Sequence, residues 1–298
     1  MLNAVERQII HYIKDLDEPD IVKLYSRLPK GKRLRAKLIL KIAGNSLRVI
    51  KTASIVEMIH GASLLHDDVI DDSFMRRNQP SINAIYGNKT AIMFGDILYS
   101  KGFYELNEID KQIAKVISNA VVQLSLGELK DVSLSTKFNT DRDVYLKMIY
   151  QKTASLIEAS AEVASILAGK NPKPYRVYGR NLGLAFQMID DILDITSDSK
   201  TLGKPAMHDF VEGKTTLPYI YLYNALNIED KIRLKSLHAK SITATDEVWI
   251  KLKMKEYKII EFSFNEAKIL IDEAISLMES EGEFALSAIA KDMIERDF

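Results

Sequence analysis

Apolar side chains recur every three to four positions over most of this chain, which is the period of an amphipathic helix. Proline and glycine, 7 and 13 of the 298 residues, fall mainly between the periodic segments. No segment alternates between polar and β-branched residues as a half-buried strand does. The pattern therefore predicts an all-α protein, with helices at about 2–15, 32–44, 47–72, 89–107, 110–133, 141–168, 172–197, 215–226, 229–238 and 245–296, and a loop at 76–87.

Several of these predicted helices exceed 20 residues, and a helix of that length spans about 30 Å. Long helices of this kind fit a bundle around a deep central cavity. We find no internal repeat and no low-complexity linker along the chain. We therefore expect residues 1–298 to form a single helical domain.

Composition narrows the function classes. Lys and Arg total 41 and Asp and Glu total 41, so the formal net charge is zero and no overall field attracts nucleic acid. The chain has no cysteine, which excludes disulfides and thiolate chemistry and fits a cytoplasmic protein. No run of about 18 apolar residues predicts a membrane span, and the first residues do not read as a signal peptide.

Two groups of three aspartates have the same internal spacing, and each lies in a strongly apolar stretch. On a helix, offsets of zero, one and four place the carboxylates on one face. The groups are Asp67, Asp68 and Asp71, and Asp190, Asp191 and Asp194. Burying such carboxylates without a counter-charge is costly, and a divalent cation removes that cost. Oxygen ligands with room for water and phosphate suit Mg²⁺, and two matching copies favour a metal site over a solvated acidic face.

Basic residues lie near both aspartate groups in the sequence. One set opens a predicted helix, where main-chain N–H groups also favour phosphate. The basic residues are Lys32, Arg33, Arg35, Arg76, Arg77, Lys152, Lys204 and Lys214. Any one of them alone would be a surface charge, but their placement beside the metal motifs indicates diphosphate binding.

With these motifs the chain resembles the trans-type, head-to-tail polyprenyl diphosphate synthases, and most of all the bacterial long-chain, octaprenyl-class enzymes. The resemblance covers about residues 28–220. It is carried by Gly31-Lys32-Arg33-x-Arg35, by Leu64-Leu65-His66-Asp67-Asp68-Val69-Ile70-Asp71 with Arg76-Arg77, by Gly95-Asp96 and Lys152-Thr153, by Phe186-Gln187 ahead of Asp190-Asp191-x-x-Asp194, and by Gly203-Lys204-Pro205 and Gly213-Lys214-Thr215-Thr216-Leu217-Pro218. It implies the isoprenoid synthase fold and a homodimer.

The resemblance also implies roles for individual residues. The six aspartates would hold Mg²⁺, three ions per active site, against an allylic diphosphate. That diphosphate would be bound by Arg76, Lys152, Lys204 and Lys214. Isopentenyl diphosphate would be bound by Lys32, Arg35, His60 and Arg77. Thr153 and Gln187 would line the reacting carbon, so that Lys152, Thr153, Gln187 and Lys204 form the catalytic set.

The match has departures. Lys30 and Asn78 stand where the family has glycine, Ala36 stands where it commonly has proline, and Lys130 replaces a neutral residue. None of these changes removes a charged ligand, and those at Lys30 and Asn78 fall in predicted loops. Residues 221–298 match weakly, and Arg296 near the C-terminus is a candidate cover for the isopentenyl site.

The implied reaction condenses isopentenyl diphosphate with an allylic diphosphate, farnesyl or geranylgeranyl. The leaving diphosphate is neutralised by Mg²⁺ and basic groups, and the double bond of isopentenyl diphosphate attacks the allylic cation. The departing diphosphate can take the proton that is lost, so no protein base is needed. Water must be excluded because it would quench the cation.

Small residues precede the first aspartate group, at Ala62 and Ser63. In this family a bulky aromatic residue there stops growth early, so the chain is expected to make a long-chain product, of the octaprenyl class, that passes to a membrane. A geranylgeranyl product is the alternative, and the two small residues could instead only permit close helix packing. The floor of the tunnel is expected near Met93–Phe94 or Leu126.

Three other functions fit the sequence less well. A class I terpene cyclase shares the first aspartate motif but usually lacks a second triad. A di-iron bundle protein needs two Glu-x-x-His motifs, and Glu57-x-x-His60 supplies one. A non-catalytic synthase subunit commonly loses aspartates, whereas all six are present here.

Overall fold

The computed structural model describes residues 1–196 and 207–294, and these are almost entirely helical. The elements in chain order are α1 (Leu2–Lys14), α2 (Pro19–Arg27), α3 (Leu34–Ala43), α4 (Leu47–Ile70), β1 (Met75–Arg76), β2 (Gln79–Pro80), α5 (Ile82–Tyr86), α6 (Asn88–Leu106), α7 (Lys111–Ser135), α8 (Arg142–Ile149), a π-helix (Tyr150–Ala154), α9 (Ser155–Leu167), α10 (Pro172–Thr196), α11 (His208–Val211), α12 (Leu217–Ala225), α13 (Ile228–Leu237), α14 (Ala244–Glu256), α15 (Ile259–Ser280) and α16 (Phe284–Ile294). The all-α prediction is confirmed.

In the described part of the chain, the segment predicted as a loop forms a short hairpin, which corrects the predicted absence of strands. Met75 pairs with Pro80, and Arg76 pairs with Gln79, in an antiparallel hairpin. Its two central residues, Arg77 and Asn78, have φ of 52° and 60°. Two successive positive φ values are typical of a type I′ turn, and asparagine tolerates this conformation. Two-residue strands are too short to show the alternation by which strands are predicted from sequence. Because asparagine adopts the positive φ that this turn requires, Asn78 can stand where the family has glycine.

Helix boundaries differ from the prediction where the backbone changes conformation without a change in periodicity. The predicted helix at 141–168 is interrupted by the π-helix at Tyr150–Ala154. The predicted helix at 245–296 is three helices, separated at Lys258 and Gly282, which have φ of 54° and 75°. The short helix α2 has Pro19 in its first turn and was not predicted.

The chain divides into two compact units. The first unit comprises Met1–Val122 and Leu156–Gly179, and the second comprises Gln123–Ser155 and Arg180–Phe298. In the first unit, α4 is the central helix, because every residue from Thr52 to Ile59 is buried and the helix therefore has no solvent face there. It packs most extensively against α6, and also against α1 and α3.

The second unit has its own core, formed by α10 to α15. The buried side chains of this core are Ile195, Met207, Phe210, Tyr219, Leu222, Leu226, Leu234, Ile250, Met254 and Ile259. The rings of Phe210 and Tyr219 stack at 4.3 Å between centroids. No helix in the described part of the chain is long and apolar enough to cross a membrane. The prediction of a single domain over residues 1–298 stays a prediction.

Candidate active site

The first aspartate triad lies at the carboxyl end of α4, in the first unit. Asp68 is buried, and Nε and Nη2 of Arg76 each lie 2.7 Å from its Oδ1 atom. The hairpin at Met75–Pro80 turns the chain back so that Arg76 reaches this carboxylate. Burial raises the pKa of Asp68 even though Arg76 opposes the shift. Burial disfavours the charged form of this carboxyl group, so an additional cation beside it would stabilise that form.

A cluster of basic side chains surrounds His60, two helical turns before Asp67 on α4. Burial, followed by the charges of Arg35 and Arg77, holds the pKa of His60 well below its usual value. Burial also lowers the pKa of Arg35 to about 10, and its Nε atom is buried without a hydrogen-bond partner. The guanidinium groups of Arg35 and Arg77 are crowded together, and the Nε donor of Arg35 has no acceptor. A bound anion would offset the repulsion between these charges and accept from the free donor.

The glycine of the first basic motif allows Arg77 to join this cluster. A Cβ atom at Gly31 would lie 2.6 Å from Nη2 of Arg77, so a side chain there would displace the guanidinium. Nη1 of Arg77 donates to the carbonyl of Pro29 at 2.7 Å. Lys32 is exposed just before α3, which begins at Leu34 without a side-chain cap. The structure thus brings Arg35, His60 and Arg77 together within the first unit.

Sequence reasoning missed the role of Glu57, although a carboxylate in a mostly apolar stretch of α4 was the available signal. Its Oε2 atom accepts from Arg33 at 3.1 Å, and its Oε1 atom accepts from the main-chain nitrogen of Ala36 at 3.0 Å. Arg33 also pairs with Glu6 at 2.8 Å. Arg33 is therefore an anchor for the start of α3, and Glu57 is engaged in that anchor and not in a di-iron motif.

The second triad lies on α10, in the second unit, and is held by a chain of hydrogen bonds. Tyr145 donates to Oδ2 of Asp191 at 2.7 Å, and Nε2 of Gln187 donates to Oδ1 of the same residue at 2.8 Å. The hydroxyl of Thr153 donates to Oε1 of Gln187 at 2.7 Å. The structure thus joins three predicted residues, Thr153, Gln187 and Asp191. Tyr145 was missed, because nothing in its own sequence neighbourhood indicates a partner 46 positions away.

The π-helix explains how Lys152 and Thr153 are presented. A π-helix adds a residue to a helical turn and often occurs at functional sites. Gly127 on α7 and Gly183 on α10 permit close backbone approach to it: a Cβ atom at Gly127 would overlap the main-chain nitrogen of Lys152, and one at Gly183 would lie 2.5 Å from Cα of Ala154. The two glycines therefore allow α7 and α10 to pack tightly against this turn.

Lys152 lies between two carboxylates that the sequence did not single out. Its Nζ atom is 2.6 Å from Oδ2 of Asp131 and 2.9 Å from Oε2 of Glu128. These pairs hold the ammonium group in position within the second unit. Nζ of Lys214 is 3.0 Å from Oε2 of Glu212. Lys204 and the candidate cover residue Arg296 lie outside the described residues.

The carboxylate groups of the second triad are suitable ligands for a divalent cation. Asp191 and Asp194 are buried, and Asp190 is exposed. Burial, followed by the charge of Asp209, raises the pKa of Asp191 well above its usual value. Within residues 1–196 and 207–294, no three histidine or acidic side chains already enclose a metal position. Open carboxylate sets of this kind suit Mg²⁺, which usually keeps waters and binds substrate phosphates.

The two residues predicted to control chain length lie on α4. Ala62 is fully buried, and the hydroxyl of Ser63 donates to the carbonyl of His60 at 2.9 Å. Of the suggested floor residues, Phe94 is buried, whereas Met93 and Leu126 are exposed. Neither the roles of Ala62 and Ser63 nor the floor is established by these positions.

Comparison with known proteins places this geometry in a family. The polyprenyl synthetase family model matches residues 18–253. Octaprenyl diphosphate synthase of Haemophilus influenzae is 34% identical over 283 residues, which cover 90% of this chain and 85% of that protein. A short chain isoprenyl diphosphate synthase of Methanothermobacter thermautotrophicus is 31% identical, with 90% of this chain and 87% of that protein covered.

Solved structures agree with the sequence relatives. The crystal structure of octaprenyl pyrophosphate synthase from Helicobacter pylori superposes with a TM-score of 0.94 at 43% identity, covering 99% of this chain and 98% of that one. Geranylgeranyl pyrophosphate synthetase from Pyrococcus horikoshii superposes with a TM-score of 0.91 at 31% identity, covering 99% and 96%. The fold is therefore the isoprenoid synthase fold, as the sequence predicted. The chain belongs to the polyprenyl synthetase family and is a prenyltransferase.

Proposed function

We propose that this enzyme condenses isopentenyl diphosphate with an allylic diphosphate, farnesyl or geranylgeranyl, to make a long-chain all-trans polyprenyl diphosphate of the octaprenyl class. The observation that carries the proposal is the chain of hydrogen bonds from Thr153 through Gln187 to Asp191. It links a predicted metal ligand to a hydroxyl that would face the reacting carbon. The repeated aspartate triad supports a two-substrate synthase over a terpene cyclase.

The direction of these hydrogen bonds supports a role in stabilising a cation. Because the amide of Gln187 donates to Asp191, its oxygen is left to accept from Thr153. The hydroxyl of Thr153 has then used its hydrogen, so only oxygen lone pairs remain to face the substrate. Preorganised dipoles aimed at developing charge lower the barrier to ionisation.

Basic residues would bind the two diphosphates. Isopentenyl diphosphate would be held by Lys32, Arg35, His60 and Arg77. The allylic diphosphate would be held by Arg76, Lys152, Lys204 and Lys214. The six aspartates would hold Mg²⁺, about three ions per site, which supplies Lewis-acid neutralisation of the leaving group when bound. The buried, unpartnered Nε donor of Arg35 supports an anion at the first of these sites.

We further propose a homodimer, formed through one face of α7. Val122, Leu126, Leu129 and Val132 are 44–68% exposed and recur at helical spacing. Ser125, between these residues in sequence, and Ser133, directly after them, are exposed and uncharged. A face depleted of charge suits the centre of an interface between identical chains. Leu129→Glu should shift the protein to monomers in size-exclusion chromatography with light scattering. Lys137→Glu, a substitution at an exposed residue of the following segment, should leave the oligomeric state unchanged.

We also propose that residues 1–298 act as one catalytic domain in the cytoplasm. The family match, which runs from residue 18 to residue 253, crosses both compact units. The absence of cysteine is consistent with a reducing compartment.

The experiment that tests the synthase is incubation with isopentenyl and farnesyl diphosphates and Mg²⁺, followed by sizing of the products. Asp67→Asn and Asp190→Asn should each lower the rate by about 10²-fold or more, since each loses charge stabilisation of the leaving group. Asp292→Asn, an exposed aspartate on α16, is the matched control and should retain activity. Near wild-type condensation by either triad variant, with unchanged Mg²⁺ dependence, would reject the assignment. Consumption of the allylic substrate alone would indicate a cyclase.

A further inference from the structure

Four aliphatic side chains are exposed on two neighbouring helices of the second unit. Ile228 and Ile232 lie one turn apart on α13, and Val248 and Leu252 lie one turn apart on α14. Their exposed fractions are 70%, 65%, 57% and 60%. We call these four residues the α13–α14 face. Side chains of this type are normally found inside proteins, so two adjacent exposed pairs need an explanation.

The two helices are held side by side by polar contacts. Asp230 on α13 pairs with Lys253 on α14 at 3.1 Å, and Arg233 on α13 pairs with Asp246 on α14 at 3.1 Å. The guanidinium of Arg233 also lies over the ring of Trp249, 4.2 Å from its centroid. Since the earlier residue of α13 meets the later residue of α14, the helices run antiparallel.

Both helices pack against one core, and both expose aliphatic side chains on the side away from it. Leu234 of α13 and Ile250 and Met254 of α14 are buried in one cluster. Positions two residues apart lie about 200° apart around a helix, so Ile232 and Leu252 lie on the sides opposite these buried residues. Each of the two aliphatic pairs in the α13–α14 face therefore points outward from the core of the second unit.

Five lysines around this face have no acidic partner, because most of the acidic groups nearby pair with Arg233, Lys251 and Lys253. Asp230, Asp246, Glu247 and Glu256 each form an ion pair within these helices. No described carboxylate pairs with the lysines that remain, which are Lys231, Lys235, Lys240, Lys255 and Lys258. The ammonium groups of Lys231 and Lys235 lie over the ring of Tyr223, 5.3 and 4.6 Å from its centroid, and Lys240 donates to the carbonyl of Ser236 at 2.8 Å. The chain has no net charge, so this local excess of positive charge is a property of the surface and not of the whole protein.

We propose that the α13–α14 face docks the enzyme on an anionic lipid bilayer. Exposed aliphatic side chains would enter the boundary between headgroups and acyl chains, and the lysines would bind lipid phosphates. The proposal rests on the proposed function, because a long polyprenyl chain is insoluble in water and needs an apolar acceptor. The face of α7 has Ser125 and Ser133 beside its aliphatic side chains and not a group of lysines, which is why we assign that face to a second copy and this one to lipid.

The test is binding of the full-length protein to vesicles without substrates. Vesicles of phosphatidylglycerol with phosphatidylethanolamine should sediment with the protein, and salt should weaken the association. Phosphatidylcholine vesicles should bind it weakly. Lys235→Gln combined with Lys255→Gln should weaken binding to anionic vesicles by about 30-fold, at about fivefold for each lysine. Lys111→Gln with Lys115→Gln, two exposed lysines of the first unit, is the matched control.

The role of the aliphatic side chains is tested with Ile232→Ser and Leu252→Ser. Leu47→Ser in the first unit, at a residue of similar exposure, is the control. The first two should each weaken vesicle binding, and the control should not, while circular dichroism and thermal melting show that all three remain folded. Equal binding to phosphatidylcholine, no binding to either vesicle, or binding unchanged by these variants would overturn the proposal. A change of oligomeric state in the variants would also overturn it, because it would assign the face to another copy.

Product synthesis in detergent separates this proposal from the enzyme assignment. If detergent-supported synthesis of long chains fails, the proposed function fails whatever the vesicles show. If synthesis proceeds but vesicles do not bind, only the docking proposal fails. Anionic vesicles should raise steady-state turnover of the wild type more than that of the variant lacking Lys235 and Lys255.

Discussion

Asp191 is held by two donors, the hydroxyl of Tyr145 and the amide of Gln187. Burial raises the pKa of this carboxyl group, so each donor that favours its charged form matters to the binding of a cation. Groups that orient a ligand commonly change metal affinity by 10–100-fold when they are removed. At the scale of the residue, Tyr145 is therefore a positioning residue for the proposed Mg²⁺ site.

Tyr145→Phe tests this role with little change in side-chain volume. We expect the Mg²⁺ concentration for half-maximal activity to rise by about tenfold or more, because Asp191 loses a donor to its charged form. Activity at saturating Mg²⁺ should be largely regained. Tyr12→Phe, a buried tyrosine of the first unit, is the control. An unchanged Mg²⁺ dependence in Tyr145→Phe would contradict the role.

A second prediction concerns His238, whose Nε2 atom donates to the carbonyl of Gly213 at 2.7 Å. Burial lowers the pKa of His238, so the folded chain binds fewer protons there than the unfolded chain. Its contribution to stability is therefore complete above the ordinary histidine pKa, about 6.5, and is lost as the pH falls through and below that value.

His238→Gln should flatten the fall in melting temperature between about pH 7 and pH 5. A part of the fall should remain, because burial also lowers the pKa of His60. His11→Gln replaces an exposed histidine and is the control. If the pH profiles of wild type and His238→Gln run parallel, His238 does not contribute to the dependence on pH.

At the scale of the element, the π-helix depends on the two glycines that face it. Gly127→Ala and Gly183→Ala would each place a methyl group against the backbone at Lys152 or Ala154. Overpacking of this kind costs about 1–3 kcal/mol, so both variants should melt at lower temperature. Activity should fall as well, because Lys152 and Thr153 would move with that turn.

Gly61→Ala on α4 is the control for this prediction. A Cβ atom there would lie 3.7 Å from Cδ1 of Leu98, which is ordinary van der Waals contact. Alanine favours a helix over glycine by about 1 kcal/mol, so the melting temperature should stay constant or rise. If Gly127→Ala and Gly183→Ala melted like Gly61→Ala, close approach to the π-helix would not be the reason for these glycines.

At the scale of the whole molecule, the open question is product length, since relatives of this chain include both octaprenyl and short chain synthases. Ala62→Tyr should shorten the products, because the aromatic ring would occupy the space along α4 into which the chain is proposed to grow. Ser63→Ala should leave the products unchanged, because its hydroxyl is bonded within its own helix. An unchanged distribution in Ala62→Tyr would remove the argument for chain-length control at this position.

The sequence by itself determined what depends on local spacing. Helical periodicity follows from contacts between residues three and four apart, so the long helices were predictable. The offsets within each aspartate triad are likewise a property of one helix, and they indicated a metal site before any fold was known. The family motifs added proposed roles for Arg35, His60 and Lys152, which the structure finds beside other charged groups.

Only the tertiary structure decided which distant groups meet. Arg33 and Arg35 are two positions apart in one motif, yet Arg33 is bonded to Glu57 whereas the Nε donor of Arg35 is buried and unused. Tyr145 reaches Asp191 across 46 positions. The α13–α14 face emerged only when α13 and α14 were seen to share one core. Local periodicity sets which side of a helix is apolar, but partners for charged and buried polar groups depend on packing between elements that are far apart in the chain.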